Sequence, residues 1–111
     1  MNINKFTQKS IQAVNDLEKI AYEYGNQEIE EEHLLYCLLN QEDSLILKLI
    51  EKMEINKDEL QRSLIDALNK RPKVSGGQVY IGKDLNRVLV SAEDEAKAMG
   101  DEYVSVEHLF L

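Results

Sequence analysis

The sequence has no tryptophan, one proline (Pro72) and one cysteine (Cys37) in 111 residues. A lone cysteine excludes an internal disulfide framework and fits a reducing compartment. With a single proline, long stretches rich in Lys, Glu, Gln, Leu and Ala are open to helix, and helix is favoured over sheet. No apolar run approaches the ~18 residues that a membrane span needs. The start, Met1-Asn2-Ile3-Asn4-Lys5, lacks the apolar core of a signal peptide, so a cytoplasmic protein with no membrane partner is expected. Cations are scarce: 13 Lys and Arg stand against 21 Asp and Glu, for a net charge of -8. Such a surface, with no basic stripe, repels phosphate backbones, so nucleic acid is not an expected partner.

What is present is a single domain's length of chain with a 43% hydrophobic content, enough to bury a core. One stretch occurs twice. Gly25-Asn26-Gln27-Glu28-Ile29-Glu30-Glu31-Glu32-His33-Leu34 recurs as Gly100-Asp101-Glu102-Tyr103-Val104-Ser105-Val106-Glu107-His108-Leu109. Laid without gaps, residues 6–36 on 81–111 share six identities in 31 positions. They are Glu18/Glu93, Ala21/Ala96, Gly25/Gly100, Glu32/Glu107, His33/His108 and Leu34/Leu109. Each copy follows an amphipathic segment and reads as a helix stop, an exposed turn and a second helix start. The expectation is an all-α fold, a tandem pseudo-twofold helical repeat of about six helices.

Periodicity and caps locate those helices. The first runs from about Thr7, its cap, to Tyr24, with Ile11, Val14, Leu17, Ala21 and Tyr24 on one face and Gly25 ending it. The second, Glu31 to about Asn40, buries Leu34, Leu35, Leu38 and Leu39, and its carboxylates meet the positive helix end. The third, about Leu45 to Met53, is capped by Ser44 and apolar at Ile46, Leu49, Ile50 and Met53. The fourth opens on Asn56 with Glu59 placed for a capping box and Ile55 and Leu60 for a staple, then continues through Leu64, Ala67 and Leu68. Arg71-Pro72-Lys73-Val74-Ser75-Gly76-Gly77 breaks the pattern. The division is repeat one at 1–70, a linker at 71–82 and a partial repeat two at 83–111. The fifth helix, about Lys83 to Met99, places Leu85, Val88, Leu89, Ala92, Ala96 and Met99 inward. The sixth starts at Ser105 and is still running at Leu111, so the second repeat is expected to be incomplete by roughly two helices.

Three chemical signals dissolve on inspection. Gly77 to Asp84 fits the GxxxxGK of a phosphate-binding loop, but Asp84 stands where a magnesium-binding Ser or Thr belongs, and no apolar strand precedes it. Gly82 instead aligns with Thr7 as a helix cap. His33 and Cys37 form an i, i+4 pair, yet neither HExxH nor CxxC is present, so a first-turn histidine serving its turn, partly exposed, is the expectation and no metal is. Glu32 and Glu107, related by the repeat, could suggest a carboxylate pair. Each would sit at a helix N-terminus, which favours the charged form and opposes what a general acid needs. The acidic run at 28–32 reads as a solvated turn. Grooves between helix pairs bind peptides.

The linker Arg71-Pro72-Lys73-Val74-Ser75-Gly76 and the run Gly100-Asp101-Glu102-Tyr103-Val104-Ser105-Val106-Glu107-His108-Leu109 resemble the N-terminal (Clp repeat) domain of ClpB-type protein disaggregases. So do Tyr24-Gly25-Asn26-Gln27 and Glu32-His33-Leu34-Leu35. The resemblance spans essentially the whole chain. It implies two four-helix repeats tethered by a mobile linker to a hexameric ATPase, with unfolded or aggregated polypeptides and the remaining ATPase modules as partners. By the same resemblance the domain is expected to carry no ATPase activity and no cofactor, ATP and magnesium belonging to ATPase modules that this sequence does not include. The resemblance carries substrate handling onto Thr7, Asp101 and Glu107, with Tyr103 and the apolar residues near Leu109 and Phe110 adjoining the groove. The alternative is a ClpC-like docking domain for adaptors or phosphoarginine, which points to Glu32 and Glu107, although Glu30 and Glu31 add negative charge beside that site. A second repeat cut short leaves apolar helix faces uncovered, so self-association is expected.

Overall fold

The computed structural model describes residues 6–74, 78–100 and 103–110, with only the backbone of Glu107. Among them the order is α1 (Gln8–Glu23), β1 (Glu28–Ile29), α2 (Glu31–Leu39), α3 (Leu45–Lys52), α4 (Lys57–Lys70), β2 (Tyr80–Ile81), α5 (Lys83–Ala98) and α6 (Val106–Phe110). The fold is all-α with one minimal two-stranded ladder.

Caps set the helix starts. The Thr7 hydroxyl accepts from the Ser10 amide at 3.3 Å. Ser44 accepts from Leu47 N at 3.1 Å while its hydroxyl donates to Leu38 O at 2.7 Å, pinning α3 to the end of α2. The Asn56 side-chain Oδ1 accepts from Asp58 N and Glu59 N. Glu59 and Ile55 remain exposed, so Asn56 caps α4 without burying the expected staple. Gly25 and Gly100 end α1 and α5 at φ +68° and +75°, left-handed geometry that glycine adopts without Cβ strain.

The two repeats are related element by element. A shift of 75 residues carries α1 from Gln8–Glu23 onto α5 at Lys83–Ala98. The same shift carries one inter-repeat contact onto another. Ile29 pairs in parallel with Ile81, and Gly82 N donates to Ile29 O at 2.7 Å. In the mate, Phe6 pairs in parallel with Val104, and Thr7 N donates to Val104 O at 2.9 Å. Each repeat therefore lends the residues ahead of its first helix to the turn of the other, a reciprocal clasp.

The core lies where α1, α2 and α5 meet, built from Leu17, Leu34, Leu38, Leu85 and Leu89, with Ile46 and Ile50 of α3 packed in. On α1 the buried line runs through Ser10, Ala13, Leu17 and Ala21. That is one position earlier at its start than Ile11 and Val14, which are half-buried, because small side chains let α2 lie close. Met53 and Met99, expected inward, are exposed; each sits at or past a helix end, beyond the reach of the core. Segment 71–82 is tied down at several points. Val74 N donates to Gly25 O at 2.9 Å, Lys73 Nζ donates to Tyr24 O at 2.5 Å, and residues 80–81 are the strand β2.

Candidate functional site

The duplicated turn is where polar chemistry concentrates, and histidine organises both copies. Glu30 N–H donates to His33 Nδ1 at 2.9 Å, and Ser105 N–H donates to His108 Nδ1 at 2.9 Å. A histidine at the third helical position takes the part that Glu or Gln plays in a capping box. Because His33 Nδ1 accepts, its proton is on Nε2, which donates to Asn26 Oδ1 at 3.0 Å. The Asn26 amide in turn faces Leu68 O and Pro72 O, joining the turn to the end of α4. His33 is fully buried and His108 nearly so, not partly exposed as their first-turn positions suggest, because each ring fills the space beneath its turn. Burial, and then the nearby Arg71 charge, push the His33 pKa down, so the ring is neutral.

The acidic run is not a solvated turn throughout. Glu30 is 6% exposed, its Oε1 has no hydrogen-bond partner, and its carboxyl packs on Gly82 across the clasp. A Cβ on Gly82 would overlap that carboxyl and approach Glu28 Oε1 to 2.9 Å, which is why glycine stands where the first repeat has Thr7. Burial raises the Glu30 pKa, aided by the neighbouring carboxylates of Glu28 and Asp84. Glu32 accepts from Arg71 Nη1 at 2.6 Å, and Arg71 Nη2 lies 3.9 Å from Glu28. The carboxylate is half-buried and already engaged by a guanidinium of its own chain.

At the other clasp, half-buried Thr7 touches the backbone of Val104, and the adjoining Tyr103 is 49% exposed. The structure thus brings Thr7 and Tyr103 to one edge. Asp101 lies outside the described residues, as does the side chain of Glu107. Glu32 belongs to the opposite clasp.

Among the described residues, two neighbouring cavities lie beside α2 and α5. The larger, about 330 Å³, is walled by Leu34, Leu35 and Leu38 of α2, Leu64 of α4, Val88 of α5, and Leu109 and Phe110 of α6, with Glu31 and Glu32 at its mouth. The second, about 300 Å³, shares Glu31 and Val88 with the first and adds Asp84, Arg87, Glu95 and His108. Neither Thr7 nor Tyr103 lines them. Cys37, paired in sequence with His33, is buried with its thiol pKa pushed up to about 12, chiefly by that burial. Among the described residues no cluster of His, Cys, Asp and Glu is placed to hold a metal ion. None of their helices is long and apolar enough to cross a membrane. Asn26 and Arg71 are the residues that sequence reasoning passed over. The only signal for Asn26 was its place directly after the repeated glycine.

The Clp repeat (R) N-terminal domain family matches residues 5–111. The chain is 44% identical to the chaperone protein ClpB of Nitratidesulfovibrio vulgaris over 99% of its own length. It is 40% identical to that of Porphyromonas gingivalis over 100% of its length. It spans 13% of the length of either relative. The N-terminal domain of the ClpV1 ATPase from E. coli has a TM-score of 0.87 at 22% identity, covering 96% of this chain and 66% of that one. The Hsp104 N-terminal domain from Candida albicans gives 0.87 at 18% identity, covering 96% and 71%. At such identities the structural likeness speaks to the fold alone.

Proposed function

The chain belongs to the Clp repeat N-terminal domain family, and on that premise we propose that it is the substrate-polypeptide-binding module of an ATP-dependent, ClpB-type disaggregase. On this reading it works in the cytoplasm, has no ATPase activity of its own, and hands unfolded or aggregated clients to a hexameric ATPase. The repeats at 1–70 and 83–111, joined by the linker 71–82, are its structural units.

One observation supports the assignment of the contact residues: Thr7 and Tyr103, from opposite ends of the chain, meet at the Phe6–Val104 clasp. An exposed aromatic side chain one residue from the bridge that precedes Thr7 offers an apolar face to a passing chain. We assign Thr7, Asp101, Tyr103 and Glu107 to the rim of this contact. Titrating an unfolded model client into isotopically labelled protein should shift the amides of Thr7 and Tyr103 first. Tyr103→Ala should weaken binding about tenfold, the ~1.4 kcal/mol scale of one aromatic contact. Shifts confined to residues 40–60 would overturn the assignment.

A second reading has one observation in its favour. Glu32 holds the Arg71 guanidinium at 2.6 Å, so the first Glu-His turn is chemically able to bind arginine derivatives. As a ClpC-like dock, Glu32 and Glu107 would take phosphoarginine, with Arg71 displaced. Free phosphoarginine that leaves the Arg71 and Glu32 resonances unmoved would dismiss it.

A further inference from the structure

The two clasps are alike in backbone and unlike in charge. At the Phe6–Val104 clasp the 75-residue shift puts Ser105 in the place of Glu30 and Thr7 in the place of Gly82, neither of which is charged. At the Ile29–Ile81 clasp, Glu30 Oε1 occupies the spot where a Cβ on Gly82 would stand, and Glu28 Oε1 approaches the same spot to 2.9 Å. Two carboxyl groups therefore crowd one point, and that of Glu30 is buried with Oε1 unpartnered. The groups that face Glu30 are Glu28 of β1, Asp84 of α5, Arg71 at the end of α4 and His33 of α2. His33 is neutral. Arg71, the one cation among them, is already held by Glu32 at 2.6 Å and lies 3.9 Å from Glu28. Two like charges so placed resist ionising together. The clasp is also thinly held. Tyr80 N donates to Gln27 O and Gly82 N to Ile29 O, but Tyr80 and Ile81 are exposed, so little apolar burial keeps β2 in place. At the other clasp Phe6 is buried, and α5 is anchored independently of β2 by Leu85 and Leu89.

We propose that the Glu30 carboxyl is a proton-operated latch between the repeats. Protonated, it lies against Gly82 and β2 pairs with β1. Ionised, it takes up water and β2 lifts away, while α1, α5 and the Phe6–Val104 clasp stay in place. A buried carboxylate without a partner is far costlier than a hydrated one, and hydration has only the two ladder bonds of β2 to break. Burial first, and the neighbouring carboxylates next, raise the Glu30 pKa above its ordinary 4.5. The latch therefore keeps its full hold below 4.5 and loses it as pH rises through the folded value. The opening equilibrium changes by at most about tenfold per pH unit on the way.

Amide hydrogen exchange on the isotopically labelled full chain between pH 4 and 8, with intrinsic exchange rates divided out, tests the latch. Protection of Tyr80 and Gly82 should fall by about tenfold or more as pH rises, while that of Thr7 stays level. Glu30→Gln, neutral at every pH, should keep the Tyr80 and Gly82 protection level throughout. Glu28→Gln, which removes the crowding charge, should shrink the response. His33 is present in all three proteins, so its own titration cancels from the comparison. A fall that persists in Glu30→Gln, or an equal fall at Thr7, would overturn the proposal. Protection of Tyr80 and Gly82 that does not change with pH in the wild type would overturn it too.

Discussion

Replacing His33 with alanine is expected to be the most damaging single change within the duplicated turn. The ring is fully buried and bridges Glu30 N–H to Asn26 Oδ1, the latter on a residue 3% exposed. Alanine leaves both polar groups buried without a partner, about 1–3 kcal/mol each. With the lost packing of the ring the total is about 3–6 kcal/mol. A domain of this size has about 5–15 kcal/mol of stability, so about a fifth or more of it goes. The melting temperature should fall by on the order of 12–36 °C at about 4–6 °C per kcal/mol. His33→Gln, whose carbonyl can still accept at the third helical position, should lose about half as much. The equivalent His108→Ala should cost less, since its ring serves a half-buried Ser105.

The same histidine sets a pH dependence. Its folded pKa lies below the ordinary value of about 6.5, so the unfolded chain takes up the proton first as pH falls. The contribution is complete above 6.5 and is lost as pH drops from there through the lowered folded value, at up to about 1.4 kcal/mol per pH unit. Urea unfolding followed by far-ultraviolet circular dichroism at several pH values, wild type against His33→Gln, reads both effects. Equal costs at His33 and His108, or parallel pH curves for wild type and the glutamine variant, would refute the reasoning.

Gly82→Ala should destabilise by about 1–3 kcal/mol, the range for overpacking, because its Cβ meets the Glu30 carboxyl. Glu30→Ala in the same chain should recover part of that loss, and strictly additive unfolding energies would contradict the contact. Glu30 carries a carboxyl pKa raised above 4.5 by burial first and by Glu28 second. Its contribution is therefore whole below 4.5 and lost as pH rises through the folded value. Glu30→Gln should consequently stabilise the protein at pH 8 and gain less at pH 4, as read by thermal melts. Cys37, 5% exposed with its pKa near 12, should react with thiol reagents at pH 8 only as fast as the fold opens. A burst of labelling in the native state would show a cavity reaching it.

Helix positions were legible because their signals are local. Thr7, Ser44 and Asn56 each announced a start within a residue of the observed one, and the 75-residue repeat carried α1 onto α5 without a slip. The clasps were not legible. A two-residue strand has no period to read, and Phe6, which is buried, pairs with Val104 far along the chain. The acidic run at 28–32 concealed the buried carboxyl of Glu30, because alternation would put it on the same face as exposed Glu28, whereas it stands just past the strand as the cap of α2 and packs on Gly82. For the site, the repeat drew attention to the two turns that the clasps join, and Thr7 and Tyr103 flank the Phe6–Val104 bridge. The apolar trough beside α2 was masked, because its leucines read only as core.

The reciprocal clasp also has a consequence in time. During synthesis, Phe6 leaves the ribosome nearly a hundred residues before Val104 exists to receive it. At about 5–20 residues per second that delay is roughly 5–20 s. Throughout it the first repeat can form helices but cannot seat its own leading edge, nor can Ile29 find Ile81 until the intervening segment has emerged. A ribosome stalled before residue 80 should therefore hold a nascent chain with helical content and a protease-sensitive start. One stalled after residue 111, with the tunnel cleared by a spacer, should hold a chain whose Thr7 and Gly82 amides become protected together.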